Sequence, residues 1–177
     1  MLRYNNKNRS IFLTGEIRSS TITALVSKLL SWDNKSNKPI ELYINSEGGE
    51  VQAGFFAVYD VIQALSCPLK TFCLGQAFSS AAFLVASGSP GNRFIFPNAT
   101  MMLHPPSMEI SGTFKEISLD LKIFQELDSR IWETLAKHLK KDSAQISQDC
   151  QQDKYFSAKE ALEYGLVDSI VTSYKKR

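Results

Sequence analysis

Ile11-Phe12-Leu13 is a short apolar run that stops at Gly15, and after it Ile22, Leu25, Val26, Leu29 and Leu30 recur at helical spacing. This pattern predicts a strand and then an amphipathic helix over 20–32, with Ser20 as its cap. The order repeats. Pro39 opens a strand, Ile40–Asn45, that alternates with period two, and Ser46-Glu47-Gly48-Gly49 turns into a second helix at about 50–65. An apolar strand at 69–74 follows, then a turn at Gly75-Gln76-Ala77-Phe78 and a helix beginning at Ser79 that Gly88 terminates. Arg93–Phe96 and Met101–His104 are two further strands, and Pro105-Pro106 stops the second. Strands alternating with helices predict an α/β fold with a largely parallel sheet.

The period then changes. Thr113-Phe114-Lys115-Glu116 is a capping box, and Ile117, Leu121, Phe124, Leu127, Ile131, Leu135 and Leu139 follow at three- and four-residue steps. No Gly or Pro interrupts 113–140, so an unbroken helix there would reach roughly 40 Å, more than a small domain is wide. Such a helix either breaks or projects and packs on a partner. Leu119, Ile123 and Trp132 add apolar surface off the main stripe and favour projection. A last helix starts at Ser157 with Glu160 in the box position and ends at Gly165. Leu166–Val171 closes the chain as a strand.

A chain of 177 residues suits one domain with a self-sufficient core. A net charge of +2, with its basic residues scattered apart from Lys175-Lys176-Arg177, argues for neither nucleic acid nor a membrane surface. The basic end reads as a solvated tail. Cys67, Cys73 and Cys150 make an odd count without CxxC spacing, which argues against a zinc site and against a disulfide framework and fits a reducing compartment. The chain lacks an apolar run of about 18 residues, and its first ten residues lack a signal peptide's apolar stretch, so the expected location is cytoplasmic.

Chemistry concentrates at Ser79. A strand-to-helix turn aims one side chain outward and leaves the first helical N–H groups unpaired, so a hydroxyl there can attack a carbonyl beside ready oxyanion donors. An ordinary N-cap is the plainer role for such a serine. Two histidines bound the choice of base. His138 lies among lysines on the long helix and reads as a surface residue, whereas His104 ends a strand, where parallel α/β folds bind ligands. Gly48-Gly49 leaves backbone N–H groups bare, but its spacing fits neither GxxxxGK[ST] nor GxGxxG. Asp153, in a polar link before a capped helix, is the preferred carboxylate to orient His104, with Asp149 and Asp168 nearly as good. The GxSxG elbow is absent around Ser79.

Four segments in order resemble the proteolytic subunit of the caseinolytic (Clp) protease, over about Ile11 to Ile170. They are Leu42–Gly49, similar to the family's strand and INSPGG turn; Gly75–Ala81, similar to GQAASMG; Met102–Pro106, similar to MIHQP; and Asp153–Ala158 with Glu163–Asp168, similar to RDRFLSA…EYGLVD. The resemblance implies Ser79 as nucleophile, His104 as general base, Asp153 as orienting acid, and an oxyanion hole from the Gly49 and Ser80 N–H groups. It implies a serine endopeptidase that needs no metal or cofactor. The implied fold is a crotonase-like spiral of ββα units in a single domain, with a head over about 11–106 and 150–172 and a protruding helical handle over about 107–142.

In this family heptameric rings stack as a tetradecamer, with the active sites inside. A hexameric AAA+ unfoldase consumes the ATP, feeds in unfolded polypeptide, and docks in apolar pockets where Tyr43, Phe72, Leu74, Phe94 and Phe96 would fall. Those five residues read equally well as core. The chain departs from the pattern at Glu47 (Pro in the family), at Phe78 and Ser80 (Ala and Met) and at Pro105 (Gln). Residues 53–59 read as one residue longer than the family's helix, implying a bulge or shifted register. Residues 107–113 lack the family's paired glycines, and the axial pore loop is expected to be largely missing. The competing readings are an inactive ring subunit serving assembly or regulation, and a CoA-binding enzyme of the crotonase fold. A Ser–Lys peptidase is less supported, since no lysine sits in a comparable turn.

Overall fold

The computed structural model describes residues 1–49 and 53–173. The expected helix start at 50 and the basic end at 175–177 lie outside the described residues. In chain order the elements are β1 (Leu2–Asn5), β2 (Ser10–Thr14), α1 (Ser19–Asp33), β3 (Ile40–Ser46), α2 (Ala53–Ala64), β4 (Leu69–Phe78), α3 (Ser80–Ala86), β5 (Arg93–Ile95), β6 (Thr100–Leu103), α4 (Phe114–Leu139), α5 (Ser143–Asp149), β7 (Lys154–Phe156), α6 (Ala158–Tyr164) and β8 (Ser169–Ile170). This is the mixed α/β architecture that the alternating periods predict. The strand expected over 166–171 shrinks to two residues. β1, α5 and β7 were not expected. Helix α1 begins at Ser19 after an extended Arg18, without a side-chain cap bond, so Ser20 does not cap it. Helix α2 is unbroken through 53–59, so no bulge is found there.

The sheet runs β1-β2-β3-β4-β5-β8, with every pair along β2-β3-β4-β5-β8 parallel and β1 antiparallel to β2. One face carries Ile11, Leu13, Ile40, Leu42, Ile44, Cys73 and Ile95, all fully buried in a single core that α1, α2 and α3 share. Helix α3 is buried along its whole length, because Ala81, Ala82 and Ala86 let its backbone approach the sheet closely. The opposite face carries Phe12, Tyr43, Phe72 and Phe94, which the strand registers set side by side. Their rings stack at centroid distances of 4.9, 4.5 and 4.9 Å.

Strand β4 is the branch point. Its first half, Thr71–Cys73, pairs with β5, and its second half, Gln76–Phe78, pairs with β6. Between them the register against β3 slips from Ile44↔Cys73 to Ser46↔Ala77, and Gly75 takes φ 62° at the slip. The four-residue turn expected at 75–78 is therefore strand, because Gln76–Phe78 find hydrogen-bond partners in β6. β6 in turn pairs antiparallel with β7.

Helix α4 begins at the predicted capping box, with Thr113 and Glu116 bonding reciprocally. Its 26 residues run without a break, about 39 Å at the α-helical rise. Only the C-terminal part enters the core, through Ile131, Trp132, Leu135 and Leu139; Phe114, Leu119, Leu121 and Ile123 are exposed. Trp132, expected to widen the exposed surface, is buried and donates its indole N–H to Asp128. Arg93 ties this end of α4 to the rest of the molecule. Its guanidinium pairs with Asp168 at 2.6 Å and donates to the carbonyls of His138 and Gly165.

Candidate active site

Ser79 terminates β4 and precedes α3. Its backbone lies at φ 55° and ψ −126°, a region that a residue with a side chain occupies only under strain, at a cost of about 1–3 kcal/mol. The surroundings enforce it. The Ser79 N–H donates to the Met102 carbonyl of β6, and the Ser79 carbonyl accepts from Ala82. Ser79 makes no side-chain cap bond to α3, so the plain N-cap reading fails. Its hydroxyl meets the His104 Nε2 at 2.9 Å instead.

Register accounts for the histidine and the aspartate. β6 and β7 pair as Met101↔Phe156, Met102↔Tyr155 and Leu103↔Lys154. One step further along the same antiparallel ladder, His104 falls opposite Asp153. The Asp153 Oδ1 lies 3.8 Å from His104 Nδ1, an ion-pair separation but longer than a hydrogen bond, and the carboxylate is more than half exposed. The structure thus brings all three residues to the ends of three adjacent strands, β4, β6 and β7, with the Ser–His bond closed and the carboxylate standing off.

The two rival carboxylates are engaged elsewhere. Asp149 accepts from the Tyr164 hydroxyl and from Gln145, and these bonds hold its carboxyl below the usual carboxylate range. Asp168 is bound to Arg93. Burial pushes its carboxyl up, but the hydrogen bonds and charge of Arg93 outweigh that and hold it low. His138 is half-buried rather than on the surface, and its Nε2 meets the Tyr59 hydroxyl at 3.0 Å. Burial, then the charges of Arg93 and Lys137, depress its pKa. It stands in the α2–α4 packing, away from Ser79.

The glycine turn packs directly on the serine. Gly48 donates its N–H to Ser46 Oγ, and its carbonyl accepts from Ile17. A Cβ on Gly48, at φ 93°, would lie 2.5 Å from the Phe78 carbonyl oxygen and 2.9 Å from the Ser79 Cβ. One on Gly49 would lie 2.1 Å from the Ile17 carbonyl oxygen. The N–H groups of Gly49 and Ser80 have no acceptor among the described residues. Gly48→Ala should therefore displace the serine turn and cut reaction of Ser79 with a fluorophosphonate at least tenfold. Labelling at the wild-type rate would show that the turn tolerates the methyl group.

Beside the serine lies a narrow cleft open to solvent, lined by Phe55, Ser79, Ser80, Phe83, His104, Pro106 and Ile131. Its walls are mostly apolar, and sequence reasoning missed them because they come from α2, α3 and α4 and from the exit of β6. Of the five expected docking residues, Tyr43 and Phe72 are buried, and Leu74, Phe94 and Phe96 are half-buried. Tyr43 and Phe72 belong to the stacked outer layer and not to the central core. Phe12 completes that layer at its exposed end and was not foreseen.

A serine held in a strained strand-to-helix turn, bonded to an imidazole and flanked by bare amides, is the arrangement of a serine hydrolase. The family model described as Clp protease matches residues 2–174. The chain is also 39% identical over 166 residues to the ATP-dependent Clp protease proteolytic subunit 1 of Rhodopirellula baltica, covering 93% of this chain and 73% of that one. The chain belongs to the Clp protease family. It is a proteolytic subunit of that type, a serine endopeptidase, and this favours the active reading over that of an inert ring subunit. Among the described residues no helix is long and apolar enough to cross a membrane.

Proposed function

We propose that Ser79, His104 and Asp153 form the catalytic set with which this chain hydrolyses peptide bonds of unfolded proteins. The observation that carries the reading is the 2.9 Å contact between His104 Nε2 and a strained Ser79. His104 takes the hydroxyl proton as the Ser79 oxygen attacks the scissile carbonyl. The Gly49 and Ser80 N–H groups hold the oxyanion, and the imidazolium returns the proton to the leaving amine. Water, deprotonated by the same imidazole, then splits the acyl-enzyme and frees Ser79. Asp153 faces the other ring nitrogen, and closing from 3.8 Å to hydrogen-bond length would fix the ring and stabilise its cation. These steps call for neither metal nor cofactor. The apolar cleft suits an apolar residue just before the cut bond.

The larger assembly follows the family. Seven subunits would close a ring and two rings would stack. The N-terminal part of α4 would be the handle between them, a role that suits the exposed Phe114, Leu119, Leu121 and Ile123. A cytoplasmic AAA+ ATPase would hydrolyse ATP and dock on the outer aromatic layer that contains Tyr43, Phe72 and Phe94, with Leu74 and Phe96 near it.

A fluorophosphonate reaction followed by peptide mass mapping tests the site. The adduct is expected on Ser79. Competing thiolates are suppressed, since burial pushes the Cys73 thiol up to about 12 and that of Cys150 up to about 11. The same preparation should turn over peptides with Leu before the cut bond and spare those with Asp there. An adduct on another serine, or none on the assembled particle, would overturn the assignment.

A further inference from the structure

The position of Asp153 rests on little of its own. The carboxylate is exposed and lacks a hydrogen bond among the described residues, and β7, which Asp153 immediately precedes, is a three-residue strand paired with β6 alone. The cross-strand registers Phe78↔Met102 and Met102↔Tyr155 put one residue from each of β4, β6 and β7 into a single row. Strand alternation places Met102 on the face of His104, and Tyr155 on the face of Asp153. Across this row the Phe78 and Tyr155 rings meet edge to face, with centroids 5.7 Å apart and planes at 88°. Met102 is buried at its centre. Phe78 immediately precedes Ser79, and Tyr155 lies two residues beyond Asp153.

We propose that the Phe78–Met102–Tyr155 row is a positioning device that holds β7, and with it Asp153, against His104. The inference rests on the catalytic reading above. An edge-to-face aromatic pair is favourable beyond the area it buries, and its geometry is directional. Here it ties the aspartate's strand to the nucleophile's strand, which share no ladder. Tyr155 is itself 56% exposed, so its ring contributes little to the core. Removing it leaves the fold and the Ser79–His104 bond in place but frees β7 to move away from the histidine. A shift of about 1 Å in a catalytic group can cost up to about 100-fold in rate. The relevant part of Tyr155 is its ring and not its hydroxyl.

The test is steady-state cleavage of a fluorogenic peptide by the assembled protein. Tyr155→Ala should lower kcat between about 10- and 100-fold and leave KM within twofold, and Tyr155→Phe should restore kcat to within about twofold of wild type. In an Asp153→Ala background, Tyr155→Ala should cost no more than about twofold further, because the group it positions is already gone. Phe78→Ala should behave like Tyr155→Ala, and the double variant should be no worse than either alone. If Tyr155→Phe is as impaired as Tyr155→Ala, or if the loss persists undiminished without Asp153, the row acts otherwise and the inference falls. A wild-type particle that neither cleaves peptide nor accepts a fluorophosphonate removes the catalytic reading itself, and the inference with it.

Discussion

Replacement of Ser79 by alanine is expected to reduce kcat for peptide cleavage by about 10⁶-fold, and His104→Ala by a similar factor, whereas Asp153→Ala is expected to cost about 10⁴-fold. The order follows from the geometry. Ser79 and His104 already share a 2.9 Å hydrogen bond, so on the proposed roles loss of either would remove the nucleophile or the group that activates it. Neither loss can be added to the other, since the two act as a unit. Asp153 stands at 3.8 Å and is more than half exposed, so in the proposed mechanism it would act by orienting and stabilising the imidazole and would touch no reacting atom. On the proposed mechanism the residual rate in every variant would come from substrate binding and the backbone N–H groups of Gly49 and Ser80. The measurement is a fluorogenic peptide assay on the assembled particle, with native mass confirming equal assembly of each variant. A Ser79→Ala protein retaining more than about a hundredth of the wild-type rate would place the nucleophile elsewhere.

Arg93→Met should be strongly destabilising although it lies outside the site. The guanidinium is nearly buried and its partner Asp168 is about one-fifth exposed. Removing the cation leaves the Asp168 carboxylate facing an apolar side chain and strips donors from the His138 and Gly165 carbonyls at the ends of α4 and α6. Breaking a buried pair from one side costs about 3–5 kcal/mol, which for a chain of this size lowers Tm by roughly 6–20 °C. The pH dependence has a definite sign. Asp168 has a depressed pKa in the folded chain, so its contribution is fully present above the unfolded carboxylate value of about 3.9 and is lost as pH falls through the lower folded value. The gap in Tm between wild type and Arg93→Met should therefore narrow on acidification below about pH 4. Thermal scans from pH 7 to pH 3 measure this. A gap that stays constant, or a Tm loss under about 2 °C at pH 7, would mean that the clamp contributes little.

The two experiments probe different parts of one construction. β4 delivers Ser79 at one end of its ladder. At its other end it supports β5, where Arg93 anchors the long helix whose Ile131 lines the cleft beside the serine. Ser79→Ala should leave Tm unchanged within about 1–2 °C, because alanine keeps the Cβ and the strained backbone, whereas Ser79→Gly should raise it slightly by relieving that strain. Substitutions at Arg93 should lower stability first and activity only as a consequence.

What could be read from residue order alone is whatever depends on near neighbours. Both capping boxes, at Thr113 and Ser157, are four-residue motifs and formed as written. The helical stripe of α4 and the period-two alternation of β3 likewise need no partner to be recognised. The serine at a strand-to-helix turn and the histidine at a strand end are local features too, so Ser79 and His104 were legible. The matched order of four motifs carried the family. Tertiary structure decided the rest, because it turns on pairing between distant segments. Asp153, Asp149 and Asp168 were nearly equal candidates until strand register set the first opposite His104, and Tyr164 and Arg93 occupied the other two. The three-residue strand β7 is too short to show a period, and it exists because β6 offers it hydrogen-bond partners. The turn expected at 75–78 became strand for the same reason, which moved the whole reversal onto Ser79 and put the strain there. A side chain's partner is set by which backbones lie alongside one another, and that information resides in the folded sheet and not in any short stretch of chain.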